Sequence, residues 1–149
     1  MIEIEKKFLI ENIPFSLDNY QHKDITQCYL YDNPVLRIRK SNENYSFTYK
    51  GKGLMARQEI NVDIQKSDFD TLISNCKWKI NKIRYIIPYE TYTIELDIFK
   101  DELDGLIMAE IEFSDIDAAE NFVPPDWFGK EVTNEPNFQN INLAKNIYE

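Results

Sequence analysis

The chain has 149 residues, of which 43% are hydrophobic and 13% aromatic, with only 4 glycines and 6 prolines. This length and composition predict a single domain over residues 1–149 with a core of its own, and they exclude disordered and low-complexity classes. Because 17 Lys and Arg face 26 Asp and Glu, the net charge is −9. Such a charge argues against nucleic acid or an anionic membrane as a partner, while a local basic pocket is still compatible with it.

The cysteines, the single histidine and the N-terminal residues give little further information about function. Cys28 and Cys76 are the only cysteines and His22 is the only histidine, so a metal site or a nucleophilic triad built on these residues is not expected. No apolar run approaches the roughly 20 residues of a membrane span, and the first residues alternate charged and apolar side chains. We therefore expect a cytoplasmic protein with reduced thiols, as either a monomer or a homodimer.

Hydrophobic residues repeat with a period of two over most of the chain, which is typical of β-strands. Turn residues separate the segments. Strands are predicted near 2–9, 25–31, 35–40, 45–50, 56–64, 78–87, 91–99 and 106–113. The fold class is therefore mainly β, with a smaller helical part.

Three short helices are predicted from capping signals and apolar spacing. The first covers about 68–76, with Ser67 as its N-cap. The second begins at Ser114 and ends near Phe122, and the third follows Asn137. The strands thus outnumber the helices, which are expected to cover apolar faces of the sheet.

Charged residues alternate with apolar ones in six of the predicted strands. Residues at i and i+2 share a face of a strand about 6.5 to 7 Å apart, so each of these strands has one charged and one apolar face. For any single strand, an antiparallel sheet with one solvated face is a sufficient explanation. The charged positions of this pattern are Glu3, Glu5, Lys7, Arg37, Arg39, Lys50, Arg57, Glu59, Lys82, Arg84, Glu95, Asp97, Glu110 and Glu112.

Taken together, the charged faces favour a closed or nearly closed barrel with a charged interior and helices packed outside. Like charges are neighbours at Arg37/Arg39 and at Lys82/Arg84, which is repulsive unless counterions intervene. The set contains seven cations and seven anions, and it suits a polyanion bound together with divalent cations. Phosphoryl transfer uses such a combination. The alternation of side chains between the two faces of a strand also predicts that Ile38, Ile83 and Ile111 point outward and are covered by helices or by the C-terminal segment.

The order of these motifs resembles the CYTH domain, also called the triphosphate tunnel metalloenzyme family. EIEKKFL carries the family's E-x-E-x-K signature, and ITQCYL, VLRIRK and FTYKG look like its second to fourth strands. The segments RQEI, INKIRY, IELDIF, LIMAEIEF, FGKEVT and FQNINLA follow in the family's order. The resemblance extends over nearly the whole chain.

The resemblance implies an eight-stranded antiparallel tunnel, dependence on Mg²⁺ or Mn²⁺, and a small polyanion such as a triphosphate as substrate. The implied catalytic residues are Lys7, Tyr29 and Glu5, where Tyr29 either tunes the site or packs at its edge. The implied phosphate-binding residues are Lys7, Arg37, Arg39, Lys50, Arg57, Lys82 and Arg84. The implied metal ligands are Glu3, Glu5, Asp97, Glu110 and Glu112. Glu59 and Glu95 are expected either to orient neighbouring cations or to add ligands.

The favoured function is metal-dependent hydrolysis of inorganic triphosphate, with nucleoside triphosphates as poorer substrates. Alternatives are a class IV-type adenylate cyclase, a thiamine triphosphatase, and a non-catalytic module that binds triphosphate or polyphosphate. The cyclase is disfavoured because family cyclases carry a His-Phe pair several residues before the first Glu, and here only Met1 and Ile2 precede Glu3. Asn61 departs from the family's R-x-E-x-E pattern, and we expect it to shift metal affinity or substrate choice.

Overall fold

Eight antiparallel strands close into a barrel in the computed structural model, which describes residues 1–148. The order around the barrel is β1-β5-β4-β3-β2-β6-β7-β8, and β8 pairs with β1 to complete it. The predicted fold class and closed barrel are confirmed. The strands are β1 (Ile2–Leu9), β2 (Gln21–Asp32), β3 (Val35–Ser41), β4 (Asn44–Lys50), β5 (Ala56–Ile64), β6 (Trp78–Tyr89), β7 (Tyr92–Phe99) and β8 (Ile107–Phe113).

Within the described residues, three α-helices accompany the barrel. They are α1 (Lys66–Leu72), α2 (Ile116–Glu120) and α3 (Asn140–Ile147). In residues 1–148, none of the helices combines the length and the apolar character needed to cross a membrane.

The predicted serine N-caps of α1 and α2 are wrong. At α1 the backbone N–H of Gln65 donates to the Asp68 side chain over 2.9 Å, and at α2 the Asp115 side chain accepts from the backbone N–H of Ala118 over 2.7 Å. A carboxylate accepts more strongly than a hydroxyl and is favoured at the positive end of a helix. The acidic neighbours of Ser67 and Ser114 therefore take part in the capping bonds.

Helices cover the outer apolar faces of the barrel unevenly. Ile38 is fully buried in a cluster with Phe69 of α1, and Ile111 is fully buried in a cluster with Ala119 of α2. Ile83 on β6 is only half-buried and belongs to none of the apolar clusters of the described residues. The expected cover at Ile83 is wrong. α1 packs on β3 and β4, α2 packs on β1 and β8, and α3 meets β6 in the cluster that contains Ile80.

The third helix closes one end of the barrel interior. Ile141 and Ala144 of α3 pack in one buried cluster with Ile80, Phe99 and Met108. These three strand residues lie two positions from Lys82, Asp97 and Glu110, respectively, so they share the inward face. The interior is consequently apolar at the end nearest α3 and charged beyond it.

Candidate functional site

Two adjoining cavities lie inside the barrel. We call the first, of about 280 Å³, the acidic chamber, and the second, of about 30 Å³ and reaching the start of α3, the basic chamber. The acidic chamber is lined by the carboxylates Glu3, Glu5, Glu59, Glu95, Glu110 and Glu112. The basic chamber is lined by Lys7, Tyr29, Arg57 and Lys82. Both chambers are lined by Arg37, Arg39, Lys50, Arg84 and Glu110. The structure thus brings every predicted site residue into one of the two chambers except Asp97.

Asp97 is fully buried and pairs with two cations of β6. Its Oδ1 accepts from Arg84 Nε over 2.7 Å, its Oδ2 accepts from Arg84 NH2 over 2.8 Å, and Lys82 Nζ lies 2.7 Å from Oδ2. Arg84 also donates to Glu95 over 3.0 Å and to Glu110 over 2.9 Å. Both Asp97 oxygens are therefore engaged by cations, whereas the family resemblance implies a metal ligand at this position.

Charge pairing offsets the cost of burying these groups. Burial opposes the charge of Arg84, yet Asp97 and its neighbouring glutamates raise the pKa of Arg84 well above its ordinary value. Burial also opposes the charge of Asp97, and Arg84 with Lys82 holds the pKa of Asp97 below its ordinary range. Burial lowers the pKa of Lys82 to about 7 in spite of Asp97. Asp97 lies between Lys82 and Arg84 and is the counterion that relieves the repulsion expected between these two like charges.

Glu110 links the cations of β1 and β6. Lys7 Nζ lies 3.7 Å from Glu110 Oε1, and Arg84 NH2 lies 2.9 Å from Glu110 Oε2. Burial opposes ionisation here, but Lys7 and Arg84 together lower the pKa of Glu110. Like Asp97, this predicted metal ligand already has cationic partners.

Three other predicted ligands form what we call the carboxylate cluster: Glu3, Glu5 and Glu112. One carboxylate oxygen from each lies within 4.8 Å of the others. The register of β1 on β8 places Glu5 directly opposite Glu112 and so brings the two strands' acids together. Burial and neighbouring carboxylates raise the pKa of Glu3 to about 8, and partial burial with four nearby carboxylates raises that of Glu112 to about 7. A bound cation would relieve this repulsion.

Glu59 orients Lys50 beside this cluster. Lys50 Nζ lies 3.3 Å from Glu3 and 3.2 Å from Glu59, and Asn61 Nδ2 donates to Glu59 over 2.6 Å. Against the effect of burial, hydrogen bonds from Glu3 and Asn61, together with the charge of Lys50, lower the pKa of Glu59 to about 2. Asn61 therefore holds an existing carboxylate in place, where a glutamate would add another negative charge.

Arg37 and Arg39 are two cations of the site with spare hydrogen-bonding capacity. Arg37 donates to Thr48 over 3.2 Å and Arg39 donates to Gln27 over 2.7 Å. The Nε atoms of both are buried without a hydrogen-bond partner in residues 1–148, and neither guanidinium forms an ion pair with a carboxylate of that part of the chain. Burial and the nearby charges of Arg37 and Arg84 lower the pKa of Arg39 to about 9. An anion is the partner that this pair lacks.

Gln27 and Asn140 are among the polar residues of the site that were not identified from the sequence. Gln27 forms hydrogen bonds with both Arg39 and Tyr29. The sequence feature that could have identified it is the Q-x-Y spacing, which places Gln27 on the same face of the strand as Tyr29. Asn140 of α3 accepts from Lys82 Nζ over 3.0 Å. That contact joins residues 58 positions apart, so no local pattern indicates it.

A closed barrel whose interior is lined by cations and clustered carboxylates defines a recognisable class of protein. The family model described as the CYTH domain matches residues 1–148, and the chain belongs to the CYTH family.

Similar proteins match over nearly their full lengths. An inorganic triphosphatase of Nitrosomonas europaea is 36% identical, and the match covers 99% of this chain and 99% of the relative. An inorganic triphosphatase of Acetivibrio thermocellus is 34% identical, with 99% and 96% covered. The crystal structure of an inorganic triphosphatase aligns with a TM-score of 0.70 at 33% identity, covering 95% of this chain and 93% of that one.

Proposed function

We propose that the protein is a divalent-metal-dependent hydrolase that cleaves inorganic triphosphate. The observation that carries the proposal is that the acidic chamber holds two complementary kinds of group. The guanidiniums of Arg37 and Arg39, which pair with no carboxylate of residues 1–148, line the same cavity as the carboxylate cluster. Linear phosphates bound with a divalent cation match both kinds of group. The full-length similarity to two inorganic triphosphatases supports the same substrate class.

The cations of the site divide into two roles under this proposal. Arg37 and Arg39 have free donors and bind phosphate oxygens directly, with Lys7, Lys50 and Arg57 around them. Lys82 and Arg84 are held by Asp97, so their donor groups are fixed in place and need not reorganise when substrate binds. We accordingly assign Asp97 and Glu110 to positioning these cations.

The carboxylate cluster fits a hard divalent cation. Its donor atoms are carboxylate oxygens only, and they lie within 4.8 Å of one another. Burial and neighbouring carboxylates raise the pKa values of two of the three acids, Glu3 and Glu112. Glu3, Glu5 and Glu112 are the residues that hold Mg²⁺ or Mn²⁺ in this proposal. The bound ion supplies positive charge that neutralises and orients phosphate oxygens for in-line attack.

Lys7, Glu5 and Tyr29 are the residues we assign closest to the reaction. Lys7 Nζ lies 3.7 Å from both Glu5 and Glu110, so its ammonium is kept in place between two carboxylates. From that position Lys7 stabilises negative charge that develops on the phosphate chain. Tyr29 lines the basic chamber beside Lys7.

Phosphate release from tripolyphosphate tests the proposal directly. We expect turnover with Mg²⁺ or Mn²⁺, slower turnover of ATP, and none with excess EDTA. Formation of cyclic AMP and pyrophosphate from ATP would identify an adenylate cyclase. A preference for thiamine triphosphate would identify a thiamine triphosphatase. Tight tripolyphosphate binding without turnover of any of the three compounds would indicate a binding module.

Metal affinity is expected to increase with pH across the neutral range. Glu3 and Glu112 have pKa values of about 8 and about 7, so protons occupy both groups in part at neutral pH. A divalent cation binds the ionised carboxylates, and binding therefore releases protons and tightens from about pH 6 to about pH 8. Calorimetric titration with Mn²⁺ in buffers of different ionisation enthalpy measures both the metal affinity and the number of protons released. An affinity that is constant over this range, with no proton release, would contradict the assignment of these ligands.

A further inference from the structure

We propose that Gln27 is a positioning residue that fixes the Tyr29 hydroxyl as a hydrogen-bond donor to the bound phosphate chain. The inference rests on the proposed triphosphate site and adds a residue to which no role has been assigned. Gln27 and Tyr29 lie two positions apart on the inward face of β2, with 0% and 2% of their surfaces exposed. Neither side chain can therefore exchange its partners for bulk water.

Arg39 determines which end of the Gln27 amide faces which neighbour. Arg39 NH2 lies 2.7 Å from Gln27 Oε1, and a guanidinium can only donate. The amide oxygen must therefore face Arg39, and the amide nitrogen must face the Tyr29 hydroxyl, which lies 2.8 Å away. The orientation of this amide follows from the chemistry of its neighbours.

The direction of the next bond follows in turn. The amide nitrogen of Gln27 can only donate, so the Tyr29 oxygen accepts and its own hydrogen is directed elsewhere. In residues 1–148 the Tyr29 hydroxyl makes no second hydrogen bond to the protein. Because Tyr29 lines the basic chamber with Lys7 and Arg37, its hydrogen is available to a phosphate oxygen, which can only accept.

A simpler role for Gln27 is to satisfy Arg39 and fill space, and a double-mutant cycle separates the two. Gln27→Met removes both bonds at similar volume, and Tyr29→Phe removes the donated hydrogen. We expect each single change to lower kcat/KM for tripolyphosphate by about tenfold, as for loss of one hydrogen bond to a charged group. The double variant should be about as active as Tyr29→Phe alone, because Gln27 acts through Tyr29.

Three additional measurements complete the design. Gln27→Glu keeps the pairing with Arg39 but turns the Tyr29 hydrogen onto the new carboxylate, so we expect a loss at least as large as that of Tyr29→Phe. Gln58→Met exchanges an exposed glutamine on β5 and should leave kcat/KM unchanged. Calorimetry measures the dissociation constant of tripolyphosphate for the wild type, the two single variants and the double variant, which gives a second double-mutant cycle for binding.

The outcomes distinguish this inference from the proposed function. Multiplicative losses in the double variant, or wild-type kcat/KM in Gln27→Met, would overturn the role of Gln27. Absence of turnover in the wild type would overturn the hydrolase instead, while the binding cycle would still report whether the effects of Gln27 and Tyr29 are coupled.

Discussion

Glu112→Gln is expected to lower tripolyphosphate hydrolysis by at least about 100-fold without weakening the metal-free fold. Glu112 belongs to the carboxylate cluster, and an amide keeps the shape of the side chain but loses the charge that binds a divalent cation. Partial burial and surrounding acids raise the pKa of Glu112 to about 7, so its charge is unfavourable in the metal-free protein. Removing that charge should leave the midpoint of thermal unfolding in EDTA unchanged or slightly higher.

Glu110→Gln is the informative comparison for this experiment. Glu110 pairs with Lys7 and Arg84, so its neutralisation removes partners from two buried cations. We expect Glu110→Gln to lower the unfolding midpoint as well as activity, whereas Glu112→Gln lowers activity alone. Glu43→Gln, an exposed turn residue, serves as the charge control. Wild-type Mn²⁺ affinity in Glu112→Gln would show that Glu112 is not a ligand.

Local geometry explains why so much of the barrel was predictable. Successive residues of a strand point to opposite faces whatever the tertiary structure, so the spacing of Arg37 and Arg39, or of Glu110 and Glu112, was enough to place each pair on one face. The apolar residues between them had to be covered, which indicated helices outside. The helix caps were harder, because serine hydroxyls and adjacent carboxylates compete for the same N–H groups.

Cross-strand register explains what the sequence could not show. Arg84 lies directly opposite Asp97 in the pairing of β6 with β7, and this register commits the Asp97 oxygens to a guanidinium. The opposition of Glu5 and Glu112 on β1 and β8 creates the carboxylate cluster in the same way. Arg84 and Asp97 lie 13 positions apart in a hairpin, whereas Glu5 and Glu112 belong to the first and last strands. In both cases the register between two strands decides which side chains meet. The alternation within each single strand therefore predicts that the charges share one interior but not which ones neutralise each other.

Arg39→Ala is expected to weaken tripolyphosphate binding by at least about tenfold while leaving the ligand-free protein as stable as the wild type or slightly more so. Arg39 has no carboxylate partner in residues 1–148, and its Nε is buried without a hydrogen bond. Burial and two neighbouring arginines lower the pKa of Arg39 to about 9, so its charge costs folding free energy until an anion binds. Thermal unfolding and calorimetric titration with tripolyphosphate measure the two effects separately.

Arg84→Ala provides the opposite case on the same wall of the tunnel. Because Arg84 engages both oxygens of fully buried Asp97, its removal leaves an under-compensated buried charge and should cost about 3 to 5 kcal/mol of stability. Tripolyphosphate at 100 times its dissociation constant should stabilise the wild type by about 2.7 kcal/mol, and the same concentration should stabilise Arg39→Ala by distinctly less. If Arg39→Ala instead unfolds the ligand-free protein while Arg84→Ala does not, then Arg39 has the structural role, and the division of the cations into fixed and ligand-binding groups is reversed.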